Sequence, residues 1–345
     1  MIDFRYHLVS LISVFLALAV GIVLGAGPLR DTISDQLTGQ VEVLREEKDA
    51  LRLEVDANRK TIDGDTAFIE ASAAALLTDS LPDYRVALLT APGAPDNVVA
   101  AITSRLEEAG AEITARASLS ADWAAPGAAD ARGDLADDVR SDVAGVSASD
   151  TSETILGASL GVAFTDSSAA DPRTASASAT AVLEALTTGP EPLVNVQGET
   201  APADLVLVVT GPQQAPAPDA TADPELEPTN VTWSLTLAAL ASDAPTVVAG
   251  YAAIDTDLLV RVRGERVITT VDGIGAPAGQ ITVPLALAAV AGGADPKPYG
   301  VGIGAQQPLP ERQSLTGPEA LEPTPPTPTA PADPNATDAA TPTET

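Results

Sequence analysis

The stretch RVALLTAPGAPDNVVAAITSRLEEAGAEITARA, residues 85–117, decides the fold of the main domain. Its first six residues, Arg85 to Thr90, form a compact apolar run, as a buried strand requires. Residues 91–96 hold two prolines and a glycine and read as a loop. From Asn97 to Gly110 the side chains of Val98, Val99, Ile102 and Leu106 recur at helical spacing on one face. Residues 111–117 then alternate as a second strand. Strand, helix and strand in this order predict a βαβ unit, and therefore a parallel sheet with crossover helices.

Further along, residues 204–210 (DLVLVVT) are too continuously apolar for a strand with one face in water. Residues 230–242 read as a helix with Trp233, Leu237 and Leu240 inward, 245–250 as a third strand, and 257–262 as a short helix or edge strand. Residues 266–272 form another strand, 273–279 a Gly/Pro loop and 280–291 an apolar helix. Between these, 118–150 is expected as loop and short acidic helix on the rim, carrying Trp123. Residues 152–160 and 178–186 look helical, 165–177 and 211–228 look like loops, and a short apolar helix is expected at 67–77. The expectation is a three-layer α/β domain with a mostly parallel sheet over residues 67–304.

Residues 8–25, LVSLISVFLALAVGIVLG, carry no charge. As a helix they span about 27 Å at 1.5 Å per residue, close to the hydrocarbon thickness of a bilayer. A cleaved leader would have a shorter apolar region and a small-x-small site. Cleavage after Ala26 would place Leu24 at −3, and cleavage after Gly27 would leave Pro28 next. The reading is a single-pass transmembrane anchor, residues 1–28. Arg5 lies before the span and Arg30 after it, a nearly balanced pair. The orientation chosen puts the N-terminus in the cytoplasm and the α/β domain outside the cytoplasmic membrane. Ala17, Gly21 and Gly25 recur every fourth residue, a small-residue stripe of the kind that lets two membrane helices approach.

Gly27-Pro28 then breaks or kinks the helix, and residues 29–66 follow as a coiled coil. With Leu37 at d, the a positions are Val41, Lys48, Val55 and Ile62, and the next d positions are Leu44, Leu51 and Asn58. Six of these eight are apolar, and the flanks carry Glu42, Arg45, Glu46, Glu47, Arg52 and Glu54. β-branched residues at a with Leu at d favour two parallel strands, and Lys48 and Asn58 would fix register at a cost in stability. Two helices leaving one membrane face must run parallel. The expected dimer interface is therefore Ala17, Gly21, Gly25, Leu37, Val41, Leu44, Lys48, Leu51, Val55, Asn58 and Ile62. At the far end, residues 305–345 are dominated by Pro, Thr, Ala and Glu, with no basic residue after Arg312. A disordered tail is expected there.

The inventory for chemistry is narrow. There is no cysteine, the only histidine is His7, and the only methionine is Met1. Ser-His triads, cysteine nucleophiles and zinc hydrolysis are excluded from the body. Asp96 and Asp272 both lie at strand ends where α/β sites sit, but among 48 acidic residues such a pair arises by chance, and both read as turn residues. The 273–279 loop matches no phosphate-binding pattern and reads as a turn for close helix packing. Asp134, Asp137 and Asp138 read as a solvated acidic face. The chain is not expected to be an enzyme, and no cofactor or metal site is expected. With a net charge of −30 it repels nucleic acid, which needs Lys and Arg against its phosphates.

His7-Leu-Val-Ser-Leu11, Val14-Phe-Leu-Ala-Leu-Ala19 and Gly21-Ile-Val-Leu-Gly25 resemble the opening of the actinobacterial MctB-type copper transporter family. Thr270-Val-Asp272, Ala278-Gly279 and Tyr299-Gly-Val-Gly302 resemble its closing motifs. The resemblance covers residues 6–304 and implies copper efflux or homeostasis in the cell envelope, with copper as the transported ion, by an outer-membrane channel. One apolar helix cannot enclose a pore, so a channel would need several protomers, and the alternating strands of a membrane barrel are absent from the sequence. Some members of the family are linked to cell separation, as partners that control peptidoglycan hydrolases. The alternative expectation is thus a non-catalytic, membrane-anchored dimeric scaffold that binds envelope or cell-division proteins.

Overall fold

The computed structural model describes residues 4–26, 29–189, 191–214 and 223–318, and side chains other than those of 26–38. The Gly27-Pro28 break, the side chain of Leu37 and the tail from 319 onward lie outside the described residues. The chain divides into two compact units, Met1–Phe68 and Ile69–Thr345.

The first unit is helical. α1, Phe4–Ala26, carries Arg5 in its first turn and no charge from Leu8 onward, and its 23 residues are long enough to cross a membrane. Ser13 Oγ donates to Val9 O at 2.8 Å, so this hydroxyl is satisfied within the helix, as a lipid environment demands. α2, Leu29–Leu77, is one helix of 49 residues. It has no proline, and the glycines at 39 and 64 are tolerated in its interior. The separate helix expected at 67–77 is the last part of α2.

The second unit begins with the end of α2. β1 (Arg85–Thr90), α3 (Asp96–Glu108) and β2 (Glu112–Leu119) form the expected βαβ unit, with β1 and β2 parallel. There follow two 3-10 turns, α4 (Ala129–Val139), α5 (Ser152–Thr165), a hairpin of β3 (Ser167–Ser168) and β4 (Asp171–Ala175), α6 (Ala177–Thr187) and β5 (Val194–Val196). The chain closes with β6 (Leu205–Val209), α7 (Leu226–Asp243), β7 (Thr246–Ala249), α8 (Leu258–Glu265), β8 (Thr269–Val271), α9 (Pro277–Ala291) and β9 (Pro298–Tyr299). The seven-stranded sheet has the order β5-β2-β1-β6-β7-β8-β9. Only β5 runs antiparallel, against β2. The mixed α/β class with a mostly parallel sheet is thus as expected.

Because the central strands β1, β6 and β7 are buried on both sides, each sheet face carries its own core. Ala87, Leu89, Val206, Val208 and Val248 face the α4–α8 layer. Val86, Leu88, Leu207, Val209, Val247 and Val271 face α3, α9 and the end of α2, where Ala73 and Leu77 are buried. Trp123, expected on the rim, is fully buried in the first core and stacks on Trp233 with ring centroids 6.4 Å apart. The buried Arg132 on α4 secures this region by donating to Asp122 O and Ala125 O at 3.0 and 2.6 Å.

Three further differences from the sequence reading have local causes. The 165–177 loop contains the β3–β4 hairpin, whose β4 residues are all exposed and so lack an apolar alternation. α7 starts at Leu226 and takes in Pro228, which a first turn accommodates without losing a helical bond. Packing also continues past residue 304. Gln306 N donates to Pro298 O, Arg312 donates to Ala75 O and Thr78 O at 3.1 and 2.8 Å, and Leu315 packs on the second core. The Arg312 guanidinium meets terminal carbonyls of α2, which no further helical turn can satisfy.

Candidate functional site

In an open parallel sheet, ligands bind beyond the carboxyl ends of the strands, at the point where strand order reverses. Here that point lies between β1 and β6. It is closed by backbone: a Cβ on Gly211, after β6, would lie 2.3 Å from Gly93 O, after β1. The neighbouring strand ends are held by Asp257, which accepts from Gln213 N, Ala253 N and Ile254 N at 2.8–3.0 Å. The 273–279 loop is likewise folded on itself, with Gly273 O filling the place a Gly279 side chain would need. This is the close-packed turn expected from the sequence.

Asp96 and Asp272 do not form a pair. Three strand spacings separate β1 from β8, about 14 Å at 4.8 Å each. Asp96 is exposed at the start of α3. Asp272 is buried against Arg263, with the two side chains 2 % and 5 % exposed and 2.8 Å apart. Asp272 also accepts from Val301 N and Gly302 N, while Arg263 bonds Thr270 Oγ1, Tyr299 O and Ile303 O. Gly300, at φ +122°, passes so close that any side chain would strike the Asp272 carboxylate. The residues of the closing motifs therefore form a latch between α8, β8 and the segment after β9. The sequence reading missed Arg263. The available signal was a charged residue one position after the buried Val262 on a short helix.

Among the described residues, no group of three or more His, Asp or Glu converges to hold a metal ion. Asp134 and Asp137 line an open groove along α4, where Asp137 pairs with Arg140 at 2.6 Å. Apart from Leu37, whose side chain lies outside the described residues, the residues expected to face a second copy of the chain are exposed. Ala17, Gly21 and Gly25 lie on α1, with open space where a glycine side chain would stand. On α2, Val41, Leu44, Leu51, Val55 and Ile62 are 41–62 % exposed, and Lys48 and Asn58 are exposed with them. Leu44, Lys48, Leu51 and Val55 share one shallow groove. Val43 and Leu53 are also exposed apolar residues but fall outside the heptad seam. A cleft under α3, described below, was not anticipated.

An apolar N-terminal helix long enough to span a bilayer, on a chain whose α/β body has its usual ligand crevice shut, defines a membrane-anchored α/β protein. Residues 1–310 match the family described as copper transport outer membrane protein, MctB, and the chain belongs to that family. It is similar to the copper transporter MctB of Mycobacterium tuberculosis (strain ATCC 25618 / H37Rv), 31% identical over 123 residues. It is 42% identical over 123 residues to the copper transporter MctB of Mycobacterium leprae (strain TN). Each alignment covers 36% of this chain and 39% of the relative.

Proposed function

We propose that the protein serves copper transport or copper homeostasis in the cell envelope, as a parallel dimer anchored by α1 with its α/β body outside the cytoplasmic membrane. The family match over residues 1–310 carries this reading. The mycobacterial relatives bear the name copper transporter. The dimer is supported by the exposed heptad side chains of α2 and the small-residue stripe of α1. Copper is the cargo, and the one helix among the described residues that is long and apolar enough to span a bilayer encloses no pore, so passage requires several copies or another protein. Deleting the gene should lower the copper concentration at which growth stops, with restoration by the intact gene. Unchanged copper tolerance would reject the reading. Because the chain has no cysteine, Leu44→Cys and Leu51→Cys variants test the dimer directly. Each should give an inter-chain disulfide in membranes, and a monomer under oxidising conditions would rule out the heptad pairing.

A second reading is a scaffold for envelope or cell-division partners such as regulators of peptidoglycan hydrolases. Val43 and Leu53 favour it, since they leave apolar surface on α2 beyond the seam of a two-stranded coil. It predicts cell chaining on deletion at unchanged copper tolerance.

A further inference from the structure

A cleft of about 300 Å³ lies under α3 at the carboxyl ends of β1 and β2. Leu88, Val99 and Ala100 contribute apolar lining, and Thr90, Thr103 and Arg116 contribute polar lining. Arg116 stands in register with Leu88 on the neighbouring strand, so the two side chains share a sheet face. Leu88 belongs to the core on the α3 side, which places Arg116 at the edge of that core. Arg116 is half-buried as a residue, and among the described residues its side chain makes one hydrogen bond, from Nη1 to Thr103 Oγ1 at 3.3 Å.

Most other arginines of the body have firmer partners, and Arg132 and Arg312 each donate to two backbone carbonyls. Arg85, Arg105, Arg140, Arg173, Arg261 and Arg263 each pair with a carboxylate. Among the described residues no carboxylate lies within 4.0 Å of Arg116, in a chain of 48 acidic and 18 basic residues. A partly desolvated cation costs free energy unless an anion meets it, and a planar guanidinium best meets a carboxylate through two parallel bonds. α3 also begins at the cleft without a side-chain cap, so its positive end reinforces the attraction. Asp96 and Gln197 also line the cleft, and the Asp96 charge opposes any ligand that carries more than one negative charge.

We infer that this cleft binds a monocarboxylate with a short aliphatic body, held by Arg116, with Leu88, Val99 and Ala100 against the aliphatic part. The carboxylate belongs either to a free small acid or to the C-terminus of a peptide. The volume is at the low end for ligand sites, which suits a molecule of this size.

The test is calorimetric titration of the full chain in a non-ionic detergent at low salt. The probes are valerate, valeramide, phosphate, and the tripeptide Ala-Ala-Ala with a free or an amidated C-terminus. Saturable binding of valerate but not valeramide assigns a free acid. Binding of only the tripeptide with a free terminus assigns a peptide end. In both cases Arg116→Ala should weaken binding at least about tenfold. Ala100→Leu, on an exposed position of α3, should also weaken it by crowding the cleft, and it decides the matter if Arg116→Ala fails to fold. The inference is overturned if no carboxylate saturates, if amides or phosphate bind as well as valerate, or if the variants bind like the parent chain.

Discussion

Arg263 reaches four acceptors from one guanidinium, and Asp272 adds two backbone amides from the segment after β9. Removing one partner leaves the other charged and buried, which typically costs about 3–5 kcal/mol. Asp272→Ala should therefore lower the urea midpoint of the protein by that order of stability, and a loss below about 1 kcal/mol would show the latch to be slack. Asp243 makes the opposite case. Burial first, and Asp166 second, raise its pKa above the ordinary aspartate value of 3.8. A folded-state value above the unfolded one means that ionised Asp243 disfavours the fold, most fully at pH above the raised value. Below 3.8 the carboxyl is protonated in both states and the penalty is gone. Asp243→Asn should raise the thermal midpoint at pH 7, only slightly because solvent screens the part of the side chain that remains exposed, and the gain should shrink as pH falls toward and below 3.8, where the carboxyl protonates. Neither pairing was legible in the sequence. Asp272 read as a turn residue, since its neighbours in space, Arg263 and Gly302, lie nine or more positions away and only the strand order brings them together. Arg116 did show one sign, a charge between two alanines in a strand otherwise read as alternating.

α5 illustrates what close approach demands of an element. Ten consecutive residues, Ile155 to Phe164, are buried. It meets α7 through Gly157, where an added Cβ would lie 2.3 Å from Thr236 O. Backbone cannot yield as a flexible side chain does, so Gly157→Ala should separate the two helices and destabilise the protein by about 1–3 kcal/mol in chemical unfolding. An unchanged midpoint would mean that α5 and α7 shift without cost. Elements with a strong period are legible in the sequence. Leu205–Val209 is wholly apolar, and α3 buries the same Val98, Ile102 and Leu106 that mark its face in the sequence. Elements defined by pairing rather than burial were not. β4 is fully exposed, β5 is three residues long, and β9 is two residues long. Nothing in their own residues separates them from loop, because a neighbouring strand supplies their hydrogen bonds.

For the whole molecule, composition alone carries one expectation. A net charge of −30 makes the fold repel itself. Raising ionic strength from about 0.01 M to about 0.1 M shortens the screening length from about 30 Å to about 10 Å. The thermal midpoint should rise over that range, and a fall would mean that attractive ion pairs outweigh the general repulsion. The chain beyond β9 has a different kind of consequence. Arg312 is bonded to the carbonyls of Ala75 and Thr78, and Gly317 approaches Pro82 O. The first and last described residues of the body are therefore neighbours, and the path of its described backbone is almost a ring. A permuted chain that joins residue 318 to the end of α2 through a short linker, and opens at the exposed turn 147–149, would keep every strand pairing while exchanging which contacts are near in sequence and which are far.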